Sequence, residues 1–187
     1  MRAYNTPSFI ENAESIVGRI ESESPLAGSE VVLDFGCGTG LVGLKLLDKV
    51  AKVYFLDPSK GMLDVLREDI KKVSRDNYEI IEGKINDYTG TKVDIIVCSL
   101  VMHHADGVDE IIKGFRKIIK PGGKIFFVEL KNDEKGPYCD PENLSKMLKK
   151  EGFNNIDFSD FGQTTIVNRT TGALYVRNKY FVTVIND

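Results

Sequence analysis

The stretch VVLDFGCGTG, residues 31–40, constrains this chain more than any other. Val31 to Phe35 is an apolar run of the kind that forms a strand covered on both faces. It carries an acidic residue near its end, Asp34, and opens into Gly36, Gly38 and Gly40 at a spacing of two. Glycine turns the backbone sharply and lets a ligand approach where a Cβ would stand in the way. The spacing sets this loop apart from two others. A dinucleotide loop reads G-x-G-x-x-G, and Leu41 stands where its third glycine belongs. A phosphate-cradling loop needs a Lys-Ser or Lys-Thr pair, and none follows. Asp34 also repels phosphate and suits a ligand bearing an ammonium group.

Helix-like and strand-like segments alternate along the rest of the chain. Thr6 or Ser8 can cap a first helix, with Pro7 near its start and Phe9, Ile10, Ala13, Ile16, Val17 and Ile20 on one face. The turn residues of SPLAGS break it. After the glycine loop, Leu41, Val42, Leu46, Leu47 and Val50 give a helix, and KVYFLD is a strand that stops at Asp57. Met62, Leu63, Val65, Leu66, Ile70 and Val73 mark the next helix, followed by the short strand YEIIEG and the strand VDIIVCS. Val108, Ile111, Ile112, Phe115, Ile118 and Ile119 form the cleanest helical stripe, which KPGGK ends before the strand KIFFVEL. Asp140 and Pro141 open a helix that runs through Lys150 and stops at Gly152. NNIDFSDF and KYFVTVI close the chain as strands, with room between them for a hairpin around NRTTG. This order predicts an α/β fold, a mostly parallel sheet with helices on both faces. Ligands of such sheets sit at the carboxyl ends of the strands. That rule selects residues 34–40, 57–62, 83–87 and 99–106.

Composition narrows the partners. A chain of 187 residues suits one domain, 1–187, with residues 1–28 as its N-terminal helical segment. A net charge of −3 gives no global basic field to collect nucleic acid. No apolar run approaches the ~18 residues of a membrane span, and the N-terminus lacks a signal-peptide core. Cys37, Cys98 and Cys139 show neither a disulfide framework nor zinc spacing, and read as reduced thiols of a cytoplasmic protein. His103 and His104 are the only histidines. Adjacent side chains diverge, so they make a poor metal site, and no metal is expected. Either is a candidate general base, since histidine titrates near neutral pH.

Asp57 follows Gly36 by 21 residues, at the strand end where a carboxylate accepts hydrogen bonds from ribose hydroxyls. The pair VVLDFGCGTG and FLDPSKGML resembles the first two motifs of class I S-adenosylmethionine-dependent methyltransferases. DIIVCSLVMHH and FRKIIKPGGKIFFVE are similar to the later motifs, most closely those of the small-molecule enzymes termed type 11. The resemblance spans residues 31–130. It implies a Rossmann-like, three-layer α-β-α sandwich with a seven-stranded, mostly parallel sheet whose last strand is antiparallel, and a first segment lying over the cofactor site.

The resemblance also assigns roles. The loop backbone from Gly36 through Cys37 to Gly38 holds the methionine part of S-adenosylmethionine, Asp34 helps bind its ammonium, and Gly40 belongs to the same cofactor-binding set. Asp57 takes the ribose hydroxyls, and Pro58 and Met62 pack the adenine. Ser99, Leu100 and Val101 lie beneath the sulfonium. After the third strand the family carries Gly-Asp, and this chain has Gly83 and Lys84. Asn86, Asp87 or the backbone of Ile85 then stands in for the missing adenine contact. S-adenosylhomocysteine is the implied product. Tyr4 and Tyr138 are candidate walls of an acceptor site, and Phe9 is a candidate lid. A small-molecule methyl acceptor is expected. Methylation of tRNA or protein, or a non-catalytic S-adenosylmethionine-binding partner protein, is the alternative. Oligomeric state is not legible.

Overall fold

The computed structural model describes residues 6–131, 140–167 and 174–187, with the backbone alone at 164–167 and 174–175. Helix α1 (Pro7–Glu23) begins at Thr6, whose carbonyl accepts from the amides of Phe9 and Ile10. Pro7 sits in the first turn, where its missing N–H is no loss. The chain continues through β1 (Val31–Phe35), α2 (Leu41–Leu46), β2 (Lys52–Asp57), α3 (Lys60–Ile70) and β3 (Tyr78–Glu82). Then come β4 (Val93–Ser99), α4 (Val108–Ile118), β5 (Ile119–Leu130), α5 (Pro141–Lys150), β6 (Asn155–Val167) and β7 (Leu174–Ile185). Asp140 caps α5 by accepting from the Glu142 amide at 3.0 Å.

The strands form one seven-stranded sheet in the order β3-β2-β1-β4-β5-β7-β6. Strands β1 to β5 run parallel, and β7 is antiparallel to both β5 and β6. The expected three layers and the antiparallel last strand are therefore present. Side-chain alternation divides the core in two. Leu33, Phe35, Tyr54, Leu56 and Ile96 pack with α4 and α5. Val32, Val53, Phe55, Ile95 and Val97 pack with α1, α2 and α3 on the other face. No described helix is long and apolar enough to cross a membrane.

Two expectations need correction. Ile119 is not the last helical residue of its stripe. It takes extended ψ and pairs with Val93 in the sheet, so its burial belongs to β5. Register with β4 resumes at Lys124 opposite Ile95, across a bulge that holds KPGG. The closing strands are also longer than their apolar cores. β6 and β7 stay paired from Asn155 opposite Ile185 out to Val167 opposite Leu174. A register shift between Asp160 and Gln163 accommodates Gly162 at φ +71°, and the ribbon then runs on beyond the end of β5. β6 points the same way as β1, so this ribbon rises from the carboxyl edge. The expected NRTTG tip lies outside the described residues.

Candidate active site

The carboxyl edge of the sheet holds a cavity of about 150 Å³. Asp34, Gly36, Cys37 and Gly38 form one side, Ser99 and Leu100 another. Phe9, Asn12 and Ala13 of α1 close it, with Leu41, Val42 and Met62 from the starts of α2 and α3. Helix α1 and the glycine loop thus share the walls of this cavity.

Each turn of the loop has a separate cause. Gly36 has φ +65°, and a Cβ there would stand 2.4 Å from Val101 Cγ2. Gly38 has φ +55° with open space where its Cβ would be, which leaves its backbone approachable. Gly40 has φ +80° and a virtual Cβ 2.4 Å from Leu66 Cδ1. The third glycine thus makes room for Leu66 of α3 at the start of α2, and it is not part of the cavity wall.

The two carboxylates are held by backbone amides. Asp34 is buried, and its Oδ2 accepts from the Gly43 amide at 2.9 Å. Burial raises its pKa from 3.8 to about 7, the Gly43 bond opposes that rise, and the Asp57 charge adds to it. Gly43 is needed for this contact, because a Cβ would meet Asp34 Oδ2 at 2.8 Å and Phe55 Cε1 at 2.3 Å. Asp57 joins the loop to the next helix. Its Oδ2 accepts from the Gly38 amide and its Oδ1 from the Ser59 amide, both at 2.8 Å. A carboxylate has about four acceptor positions, so about two remain for hydroxyls. Cys37 faces the cavity as a neutral thiol: burial, with Asp34 and Asp57 adding to it, pushes it well above its ordinary value. Burial does the same for Cys98 inside β4.

Leu100 is the only non-glycine with positive φ among the described residues, at +58°. Its amide donates to the Val128 carbonyl at 2.7 Å, which fixes this strained backbone beside the cavity. The histidines follow. His103 Nδ1 lies 2.6 Å from Glu129 Oε1, and both side chains are buried. Glu129 Oε1 also accepts from the Leu130 amide at 2.8 Å. His104 is exposed, with its ring centroid 3.9 Å from that of His103. Neither histidine lines the cavity.

The other predicted residues spread out. Met62 reaches the cavity, while Pro58 is exposed and outside it. Ile85 is buried against α4, where its Cγ1 would lie 2.3 Å from a Cβ on Gly114. Asn86 is exposed. Asp87 turns back to accept from the Lys84 amide at 2.8 Å and so closes its own turn. Tyr4 and Tyr138 lie outside the described residues. Among the described residues no group of three or more His, Cys, Asp or Glu is placed to hold a metal ion. Sequence reasoning missed Asn12, Gly43, Glu129 and Lys179. Glu129 had a signal: it is an acid near the carboxyl end of β5, a strand end outside the four stretches singled out above.

Residues 33–125 match the family model described as a methyltransferase domain. The ubiquinone biosynthesis O-methyltransferase of Coxiella burnetii is 34% identical over 109 residues, 58% of this chain and 46% of that protein. The cypemycin N-terminal methyltransferase of Streptomyces is 31% identical over 124 residues, 64% of this chain and 49% of that protein. The chain spans about half or less of the length of the curated relatives it matches. Among solved structures, the YcgJ protein of Bacillus subtilis superposes with a TM-score of 0.75 at 12% identity, over 92% of this chain and 98% of that one. The glycine loop, the strand order and the matched residues agree, and the chain belongs to the class I S-adenosylmethionine-dependent methyltransferase family.

Proposed function

We propose that the chain transfers a methyl group from S-adenosylmethionine to a small-molecule acceptor by in-line displacement, leaving S-adenosylhomocysteine. The observation that carries this reading is the cavity where Asp34, the open backbone of Gly38 and the strained Leu100 meet at the carboxyl edge. The residues fit such a ligand. Gly38 leaves its backbone open to a ligand, Asp34 supplies a carboxylate for an ammonium, and Asp57 keeps acceptor positions for ribose hydroxyls, with Gly36 in the same wall. Cys37, Gly40, Pro58, Met62, Ile85, Asn86 and Ser99 complete the proposed binding set, with Gly40 acting through helix packing. The ligand supplies an electrophilic methyl on a sulfonium.

The protein then has two tasks, alignment and dryness. Fixing two reactants in line can lower a barrier by ~7–11 kcal/mol. Phe9, Leu41, Val42 and Met62 give the cavity apolar walls, which suits a reaction that neutralises a cation. An amine or thiolate acceptor needs no base. For a hydroxyl acceptor we assign the base to His103, because Glu129 on Nδ1 fixes the ring and leaves Nε2 for the proton. His104 packs against that ring at a tilt of 46°. A peptide amine is the second reading, favoured by the likeness to a relative named for N-terminal methylation. We place the protein in the cytoplasm, since the thiols of Cys37 and Cys98 are free.

The test is calorimetric titration with S-adenosylhomocysteine, with NAD as control. Micromolar binding is expected, and its loss in Asp57→Ala supports the ribose contact. Binding of NAD in place of S-adenosylhomocysteine overturns the reading. Binding without turnover on small-molecule and peptide acceptors leaves a non-catalytic partner protein.

A further inference from the structure

A buried cation that neither the motifs nor the family match assign stands behind the cavity wall at Asn12. Lys179 pairs with Leu130 at the carboxyl edge, where β7 meets β5. It is only 6% exposed, next to the buried run Tyr180, Phe181 and Val182. Its amine donates to Asn12 Oδ1 and lies 5.0 Å from the centroid of the Phe161 ring. Both partners are neutral, and among the described residues no carboxylate pairs with Lys179. An ammonium buried among neutral partners is costly, and an arriving anion offsets that cost. Burial accordingly holds this lysine below its ordinary pKa.

Position supplies the second argument. Asn12 belongs to the cavity wall, as do its helix neighbours Phe9 and Ala13. Lysine occupies the oxygen of its amide, which leaves two N–H donors on Nδ2. Asp34 also lines the cavity, and Asp57 holds the amide of its neighbour Gly38. Carboxylates thus stand on the β1 and β2 side of the cavity, and a buried ammonium stands on β7 behind its Asn12 wall, a separation of opposite charges. A ligand carrying both an ammonium and a carboxylate matches that polarity.

We propose that Lys179 and Asn12 form a carboxylate-binding site at the β7 side of the cavity. The carboxylate comes from the methionyl end of the cofactor or from the acceptor. The first source rests on the function proposed above.

The experiment is calorimetry with two nucleosides. S-adenosylhomocysteine carries the carboxylate, and S-adenosyl-3-thiopropylamine keeps the ammonium but lacks it. The wild-type protein is expected to bind the first about 10- to 100-fold more tightly, the range of a charge-assisted hydrogen bond. Lys179→Met should remove that preference and leave binding of the amine unchanged. Asn12→Asp supplies a counter-ion from within and should remove the same preference with the lysine intact. That variant keeps the test valid if the methionine variant folds poorly. In the second arm, protein saturated with S-adenosylhomocysteine is titrated with benzoate by ligand-observed NMR. Benzoate binding that Lys179→Met abolishes, with nucleoside affinity unchanged, assigns the carboxylate to the acceptor. If the variants alter neither nucleoside preference nor benzoate binding, the proposal is overturned. If the wild-type protein binds neither nucleoside, the cofactor reading has failed instead. Benzoate binding to the cofactor-free protein then decides the lysine site alone.

Discussion

Asp34 should make the ligand-free protein less stable as pH rises, and Asp34→Asn should remove that loss. The carboxyl is buried, and its pKa is raised from 3.8 to about 7, chiefly by desolvation. Below about pH 4 the group is protonated in both the folded and unfolded states, so it makes no pH-dependent contribution. Between about pH 4 and 7 the unfolded chain has released the proton and the folded protein keeps it. Stability therefore falls with pH across that window, because the folded state binds more protons. Above pH 7 both states are ionised and the penalty is constant. A rise of a little over three pH units, at about 1.4 kcal/mol each, sets its size at about 4 kcal/mol.

Asparagine isolates this effect, since its side-chain oxygen can still accept from the Gly43 amide. Urea unfolding of both proteins from pH 4 to 8.5 measures the difference. The variant should gain on the wild type steadily from pH 4 to 7, then hold its lead. The order reverses for ligand. An ammonium beside Asp34 favours the ionised acid, so S-adenosylhomocysteine should bind the wild type with proton release below pH 7 and bind the variant more weakly. Titrations in two buffers of different ionisation enthalpy count that proton. A stability difference that is flat with pH, or one in which the wild type gains as pH rises, would refute the argument.

Two further substitutions test the supports of the site. Gly43→Ala gains about 1 kcal/mol of helix propensity but places a methyl 2.3 Å from the buried Phe55 ring. Overpacking at about 1–3 kcal/mol should outweigh that gain, so thermal unfolding should show a less stable protein. His103→Ala removes a partner of the buried Glu129 and should lower stability by about 1.5–3 kcal/mol in urea unfolding. Because His103 is not in the cavity wall, calorimetry should find S-adenosylhomocysteine affinity unchanged. A large loss of affinity would place the histidine at the cofactor.

The parts of this site legible in the sequence are those set by one strand end and the turn that follows it. Asp34, Gly36, Gly38 and Asp57 can be read that way because a parallel sheet sends every strand's carboxyl end to one edge. What the sequence hides is which group meets which across that edge. Gly40 and Gly43 look alike as glycines near a helix start, but one admits Leu66 and the other admits Asp34 and Phe55. Neither Leu66 nor Phe55 is near them in sequence. Asp57 reads as a ribose acceptor, and it is also the clasp that ties Gly38 to the start of α3. His103 reads as a free base until Glu129, 26 residues away, is found on its Nδ1. Lys179 is the extreme case. In KYFVTVI it looks like a charge that ends an apolar strand. Only the packing of α1 against β7 buries it beside Asn12, 167 residues earlier in the chain. Such a residue gives no local signal, because its cost arises from neighbours that the fold alone brings together. An ammonium in an apolar strand near the ligand edge is therefore better first tested as a ligand contact than dismissed as surface charge.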